Sequence, residues 1–136
     1  LIKKKINVMG HIGLLPQKHD GKYPIYGRKK NEEKKILDDL GSLEQAGVFS
    51  IVIECTVESI VKKLMKKSNT PIIGIGATSD CDGQVLVAED LLGLTDFNAK
   101  FLKKYSNLDV IISRAFEKFS SDVVKRKYPQ KKNYYK

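Results

Sequence analysis

The stretch Phe49-Ser50-Ile51-Val52-Ile53-Glu54-Cys55 decides the fold of this chain. It joins an almost wholly apolar, β-favouring run to a single carboxylate, and helical patterns flank it on both sides. Such a run predicts a strand of a parallel sheet that is buried on both faces. A carboxylate is costly to bury, and ligands bind at the carboxyl ends of strands in parallel α/β folds. Glu54 is therefore the first candidate functional residue; the alternative is a Glu that caps the next helix or pairs with a lysine.

Length and composition indicate one ordinary globular domain. The 136 residues are 41% hydrophobic and 30% charged, enough to bury a core. No apolar run approaches the roughly 20 residues of a membrane span, and the start lacks the apolar segment of a signal peptide. Cys55 and Cys81 lack the spacing of a metal or redox pair. We therefore expect a cytoplasmic protein, and the opening on Leu1 leads us to expect a fragment of a longer chain.

The net charge of +9 raises the question of nucleic-acid binding. The lysines are scattered over most predicted elements, and within helices they lie opposite the apolar stripe, as on a solvated face. No RNA-binding aromatic signature or zinc-finger spacing accompanies them. We expect no nucleic-acid partner, although a basic α/β nucleic-acid-binding domain stays an alternative on charge alone.

Strand and helix patterns alternate along the chain. The predicted strands cover residues 6–9, 49–55, 71–77 and 84–88, and the predicted helices cover residues 31–47, 57–65, 98–104 and 107–127. The last of these helices carries one apolar face, formed by Ile112, Ala115, Phe116, Phe119 and Val123. This order predicts parallel strands in either a small open α/β sheet or half of a (β/α)₈ barrel, since a full barrel needs about 250 residues.

Further candidate residues follow two of these strands. His11 lies in a Gly-rich turn, Gly10-His11-Ile12-Gly13, predicted after the first strand, and it leads into a long loop over residues 15–31, in which we expect His19 to be exposed. Gly74 and Gly76 lack the third glycine of a dinucleotide fingerprint, so we assign them to close approach of the backbone to substrate or to a neighbouring strand. The turn Asp80-Cys81-Asp82-Gly83 is better explained as solvated than as a metal site.

Four segments stand out together along the chain: Gly10-His11-Ile12-Gly13-Leu14-Leu15-Pro16-Gln17, Ile53-Glu54-Cys55, Gly74-Ile75-Gly76-Ala77 and Asp82-Gly83-Gln84-Val85-Leu86-Val87. In this order they resemble the second half of ketopantoate hydroxymethyltransferase. The resemblance runs from about residue 6 to residue 129. It implies a (β/α)₈ TIM barrel, magnesium, a cytoplasmic homo-oligomer, and transfer of a one-carbon unit from 5,10-methylenetetrahydrofolate to 3-methyl-2-oxobutanoate, a step of pantothenate synthesis.

The resemblance also implies roles for particular residues. Glu54 matches the family's catalytic base, which removes the C3 proton of the 2-oxo acid, and His11 matches its partner histidine, which hydrogen-bonds substrate or shuttles a proton. The chain departs from the family pattern at Ala77-Thr78, where the family usually continues GIGAG, and at Val57, where a proline is common. It also departs in the middle of its GGYKVQGR-like loop, Gly21-Lys22-Tyr23-Pro24-Ile25-Tyr26-Gly27-Arg28.

The family's magnesium ligands and most of its contacts to the 2-oxo acid lie in the first half of the barrel, so none is assigned to this chain. We therefore expect residues 1–128 to form the second half of a TIM-barrel catalytic domain, followed by a polar tail at 129–136. Half a barrel leaves open strand edges and an uncovered apolar interior. We expect this chain to be inactive alone and to need an N-terminal half-barrel as its partner. The alternative is a non-catalytic homologue that serves as an interaction or oligomerisation module.

Overall fold

The computed structural model describes residues 1–19 and 23–135. The chain divides into two units, Leu1–Leu86 and Val87–Lys136. Gly21 and Lys22 of the predicted loop motif lie outside the described residues. The predicted boundary between a barrel domain and a polar tail at residue 128 stays a prediction; the tail holds a short 3₁₀ turn at Lys131–Asn133.

The first unit is built on a four-stranded parallel sheet. Its strands are β1 Met9–Gly13, β2 Ser50–Glu54, β3 Ile72–Ile75 and β4 Gly83–Gln84, paired in the order β1-β2-β3-β4. Helix α1 (Lys30–Ala46) connects β1 to β2, and helix α2 (Glu58–Met65) connects β2 to β3. Sequential parallel neighbours joined by helices are the arrangement of consecutive βα units in a barrel. The α/β prediction is confirmed.

The core lies between the sheet and its two helices. Alternate strand residues point to that side, because successive side chains in a strand alternate between faces. The buried members of this cluster are Ile12, Ile51, Ile53 and Ile72 from the strands and Ile36, Leu40, Ile60, Val61 and Leu64 from the helices. Helix α1 ends at Gly47, whose φ of 86° favours glycine and whose N–H donates to the carbonyls of Leu43 and Glu44.

Two strand predictions were wrong in their bounds. Strand β1 begins at Met9 instead of residue 6, so His11 lies inside the strand and not in a turn after it. Gly10 lies inside the strand, where a Cβ would be 2.7 Å from a methyl carbon of Leu43, so α1 packs closely against β1 at this position. Strand β4 is only two residues long, and Ala88, predicted as its end, begins a helix.

The second unit is helical. Helix α3 (Ala88–Leu92) ends at Gly93, and helix α4 (Leu108–Val124) agrees with the predicted long helix. The predicted helix at residues 98–104 is absent, because the N–H of Tyr105 donates to the carbonyl of Leu91 and only one turn, Leu102 to Ala99, forms there. The predicted apolar face of α4 is exposed at Ile112, Phe116, Phe119 and Val123. None of the helices in the described part of the chain is long and apolar enough to cross a membrane.

Candidate active site

The side chain of Glu54, the last residue of β2, contacts the side chain of His11, which lies inside β1. In the parallel register Gly13 pairs with Glu54 and His11 with Val52, so both candidate side chains project from the face opposite the core residues Ile12 and Ile53. Nε2 of His11 lies 3.1 Å from Oε2 of Glu54, and the two side chains are 35% and 12% exposed, respectively. The structure thus brings together the two residues that the sequence singled out for catalysis.

Burial changes the acidity of Glu54. Its pKa is raised above the ordinary carboxyl value because desolvation penalises the charged form, while the charge and the hydrogen bond of His11 act in the opposite direction and compensate only partly. A carboxylate with a raised pKa is a stronger general base near neutral pH than a solvated one. The pair therefore has the chemistry of a proton acceptor and its hydrogen-bonding partner.

The backbone around Glu54 is held from three sides. Its carbonyl accepts a hydrogen bond from the N–H of Leu14 at 2.9 Å and another from the hydroxyl of Thr56 at 3.1 Å. Cys55, the next residue, has a left-handed φ of 47°, which a non-glycine residue rarely adopts, and its N–H donates to the carbonyl of Ile75 at 2.9 Å. Burial raises the pKa of the Cys55 thiol, so this cysteine is not an activated nucleophile.

Gly13 makes this arrangement possible at the end of β1. Its φ is 83°, and a Cβ at this position would collide with the carbonyl oxygen of Glu54 and lie 2.5 Å from Oγ1 of Thr56. A glycine is required here for both its conformation and its close approach. The Gly-rich pattern around His11 therefore has a physical cause: it places the end of β1 directly against the end of β2.

Tyr26, which the sequence did not single out, contacts the same region. Its N–H donates to the carbonyl of Cys55 at 2.8 Å, and its carbonyl accepts the N–H of Val57 at 3.0 Å. Its hydroxyl lies 3.0 Å from Nε2 of His19 and is hydrogen-bonded to it. The expectation that His19 is simply exposed was wrong, since the ring is half-buried against Tyr26. Only the placement of Tyr26 in a long loop that follows the His11 strand could have drawn attention to it.

A cavity of about 110 Å³ is lined by residues of β1, the loop that follows it and α1; Glu54 does not line it. Its wall includes His11, Gly13, Lys18, His19, Tyr26 and Lys35. The cavity therefore connects the candidate catalytic histidine with the loop that carries Tyr26.

The two glycines predicted to contact substrate occupy different places. Gly74 pairs with Ile53 on the core side of the sheet, where a Cβ would lie 2.9 Å from Oε1 of Gln84 and 3.0 Å from Sγ of Cys81. It therefore permits close approach to a neighbouring strand, and the structure does not bring it to the Glu54 face. Gly76 follows β3 with a φ of 62°, and its contact with substrate stays a prediction.

No three or more His, Cys, Asp or Glu side chains come together in a metal-binding arrangement within residues 1–19 and 23–135. In the turn after β3, Asp82 accepts a hydrogen bond from the N–H of Ile72 at 2.8 Å, and Asp80 is exposed 3.5 Å from Nζ of Lys62. The described residues thus do not by themselves form a site for magnesium.

Comparison with known proteins identifies the family of the chain. A family model described as ketopantoate hydroxymethyltransferase matches residues 1–131. The chain belongs to this family. Relatives named 3-methyl-2-oxobutanoate hydroxymethyltransferase include one from Pelagibacter ubique, 50% identical over 99% of this chain, and one from Sulfurisphaera tokodaii, 47% identical over 98%. The matched parts are 52% and 51% of those relatives, so the chain spans about half the length of the curated relatives it matches.

This half-length match agrees with the predicted half of a ketopantoate hydroxymethyltransferase barrel. Within the described residues β1 pairs only with β2, which leaves the other edge of β1 without a strand. On the Glu54 face, Met9 is exposed and Val52, Ile73 and Ile75 are only half-buried. These side chains would point into the interior of a closed barrel, where alternate strand residues fill the core.

Proposed function

We propose that this chain forms the base-carrying half of a 3-methyl-2-oxobutanoate hydroxymethyltransferase. The reaction transfers a one-carbon unit from 5,10-methylenetetrahydrofolate to 3-methyl-2-oxobutanoate and gives 2-dehydropantoate, the precursor used in pantothenate and coenzyme A synthesis. The observation that carries this proposal is the contact of the largely buried Glu54, at the end of β2, with the partly exposed His11 on the adjacent parallel strand β1, in a chain that belongs to the ketopantoate hydroxymethyltransferase family.

In this proposal Glu54 is the proton acceptor. Oε2 is hydrogen-bonded to His11, and no partner is found for Oε1 among the described residues, so Oε1 is the atom that takes the C3 proton of the 2-oxo acid. Water releases the one-carbon unit from the folate at the formaldehyde level, and its two hydrogens end on N5 and N10 of the departing tetrahydrofolate. The C3–H electron pair then forms the bond to that carbon, and the proton held by Glu54 passes to the new hydroxymethyl oxygen. His11 holds the orientation of Glu54 and faces the open side of the sheet, where it can hydrogen-bond the hydroxymethyl oxygen.

The remaining parts of the proposal concern groups outside this chain. The family resemblance implies magnesium, but the described residues offer no ligand set, and we assign no step of the reaction to a metal. We propose that an N-terminal half-barrel, in the same or a second polypeptide, covers the apolar Glu54 face and completes the substrate site. A cytoplasmic homo-oligomer belongs to the same proposal.

Exchange of the C3 proton of 3-methyl-2-oxobutanoate into deuterated water, followed by NMR, tests the role of Glu54. The assay uses a barrel assembled from this chain and the N-terminal half of the Pelagibacter ubique relative, with Mg²⁺ present. Loss of a positioned general base lowers a rate by about 10²–10⁴-fold, so we expect a fall of this size for Glu54→Gln. Glu58→Gln is the matched control, because Glu58 is an exposed residue on α2 that pairs only with Lys62.

Exchange that persists in Glu54→Gln would refute the assignment of the base. The absence of exchange in every combination of halves would instead favour the non-catalytic interaction module.

A further inference from the structure

Tyr26 forms hydrogen bonds with the segments that follow β1 and β2, the two strands that carry His11 and Glu54. Its backbone hydrogen-bonds Cys55 and Val57, which directly follow the Glu54 strand. Its hydroxyl hydrogen-bonds His19, which ends the 3₁₀ turn Pro16–Lys18 after the His11 strand. Tyr26 therefore joins the two strand ends through a path separate from the sheet.

The backbone contact between Tyr26 and Thr56 is weak, and the hydrogen bond between the Tyr26 and His19 side chains is a second anchor for this residue. Tyr26 and Thr56 form a single isolated bridge and not a strand pair, and the backbone of Tyr26 makes two hydrogen bonds there, with Cys55 and Val57. The His19 and Tyr26 rings meet edge-on with centroids 6.3 Å apart, and both residues are half-buried. A hydrogen bond sheltered in this way is stronger than one exposed to water.

The anchored loop acts on the residue beside Glu54. Cys55 holds a left-handed φ of 47°, which is costly for a residue with a Cβ and persists only where its surroundings enforce it. Tyr26 binds the carbonyl of Cys55, while Ile75 binds its N–H. If the bond from Tyr26 is weakened, Cys55 can relax, and the direction of the preceding carboxylate side chain changes with it.

We propose that Tyr26, anchored by His19, is a positioning residue that fixes the Glu54 carboxylate against His11. This inference rests on the proposed function for its catalytic consequence, but its geometric content can be tested without catalysis. Tyr26 lies in the loop segment where this chain departs from the family pattern.

The test uses the two histidines of the chain as reporters. His11 and His19 are its only histidines, so labelling this half alone with ¹⁵N-histidine in the assembled barrel gives two imidazole signals. In Tyr26→Phe the His19 signal must change because its partner is lost. We expect the His11 signal to change as well, because Glu54 moves relative to it. Tyr135→Phe, at a fully exposed tyrosine, is the matched control and should leave both signals in place.

Kinetics of C3 proton exchange provide the second measurement. Loss of one sheltered hydrogen bond corresponds to about a fivefold effect, so we expect the maximal exchange rate to fall about fivefold in Tyr26→Phe while KM for the 2-oxo acid is unchanged. His19→Phe should lower the rate by the same factor, and the double variant Tyr26→Phe/His19→Phe should be no slower than either single variant. His19→Gln keeps a hydrogen-bonding group and should restore part of the rate. The His19 variants also test the bond if Tyr26→Phe does not fold.

An unchanged His11 signal in folded Tyr26→Phe and His19→Phe barrels would overturn the inference. An unchanged maximal exchange rate in these variants would also overturn it, provided that exchange in the unsubstituted barrel depends on Glu54. If no barrel shows Glu54-dependent exchange, the proposed function fails, and the His11 signal alone decides whether Tyr26 positions Glu54.

Discussion

The substitution Gly13→Ala tests whether the end of β1 must lie directly against the end of β2. Gly13 has a φ of 83°, and an added Cβ would collide with the carbonyl oxygen of Glu54 and lie 2.5 Å from Oγ1 of Thr56. Both neighbours belong to the segment that positions the candidate base. The substitution therefore perturbs the site through a single added carbon.

The expected cost has two parts. A left-handed conformation costs a residue with a Cβ about 1–2 kcal/mol. Relief of the collision requires the Glu54 carbonyl to move, which breaks or lengthens its hydrogen bonds from Leu14 and Thr56. At about 1 kcal/mol for each lost bond, Gly13→Ala is expected to lower the free energy of unfolding by about 3–4 kcal/mol in total.

Gly41→Ala is the matched control, since it adds the same carbon in the middle of α1. Nothing lies within 4 Å of a Cβ at Gly41, and glycine inside a helix is less stable than alanine by about 0.5–1 kcal/mol. The control should therefore stabilise the fold slightly. Urea unfolding of the assembled barrel measures both variants, and C3 proton exchange measures their activity. If Gly13→Ala unfolds at the same urea concentration as Gly41→Ala and keeps full exchange, the close approach of the two strand ends is not required.

Three further predictions concern charged groups of the first unit. The pKa of Glu54 is raised in the folded chain, so the stability linked to its protonation is present below its ordinary pKa and is lost as pH rises through the raised pKa. Glu54→Gln should therefore resist urea better than the unsubstituted barrel at neutral pH but not in acid. Equal urea midpoints of the two proteins at both pH values would contradict this. The charge and hydrogen bond of His11 lower the pKa of Glu54, so His11→Leu should move the acid limb of the exchange rate to higher pH, and a limb that stays or moves to lower pH would count against the pairing. Oε2 of Glu32 accepts the N–H groups of Gly27, Arg28 and Lys29 at the start of α1, so Glu32→Ala should lower the free energy of unfolding by about 1–2 kcal/mol and Glu32→Gln by less, as urea midpoints will show.

The sequence was sufficient for the parts of the site that depend on local pattern. The apolar run before Glu54 predicted β2 almost to the residue, because a strand buried on both faces needs a continuous run of such side chains. The helical spacing of Ile36, Leu40, Ile60 and Leu64 is typical of helix faces that enter a core, and all four side chains are buried there. Glu54 and His11 could be singled out together because carboxyl ends of parallel strands meet at one edge of a sheet.

What the sequence did not predict depends on contacts between distant residues. The glycines of β1 favoured a turn, whereas Gly10 lies inside the strand, where its missing side chain leaves room for Leu43 of α1. The short length of β4 could not be predicted from Val85 and Val87, whose β-favouring side chains are exposed outside the ladder. The bond between His19 and Tyr26 crosses a long loop, and no periodic pattern marks such a pair.

Under the proposed function, the position of the Glu54–His11 pair explains how half a barrel could hold the base and still need a partner. Glu54 and His11 stand on adjacent strands, so their mutual geometry is set by one register and by bonds within the first unit. Strands that would face them across a barrel interior do not affect this register. Such strands would, however, complete the enclosure of the substrate, and they would cover the exposed Met9 and the half-buried Val52 and Ile75 beside the pair. The same enclosure would remove more water from Glu54 and raise its pKa further. We therefore expect the carboxyl of Glu54 to titrate at higher pH in the assembled barrel than in this chain alone.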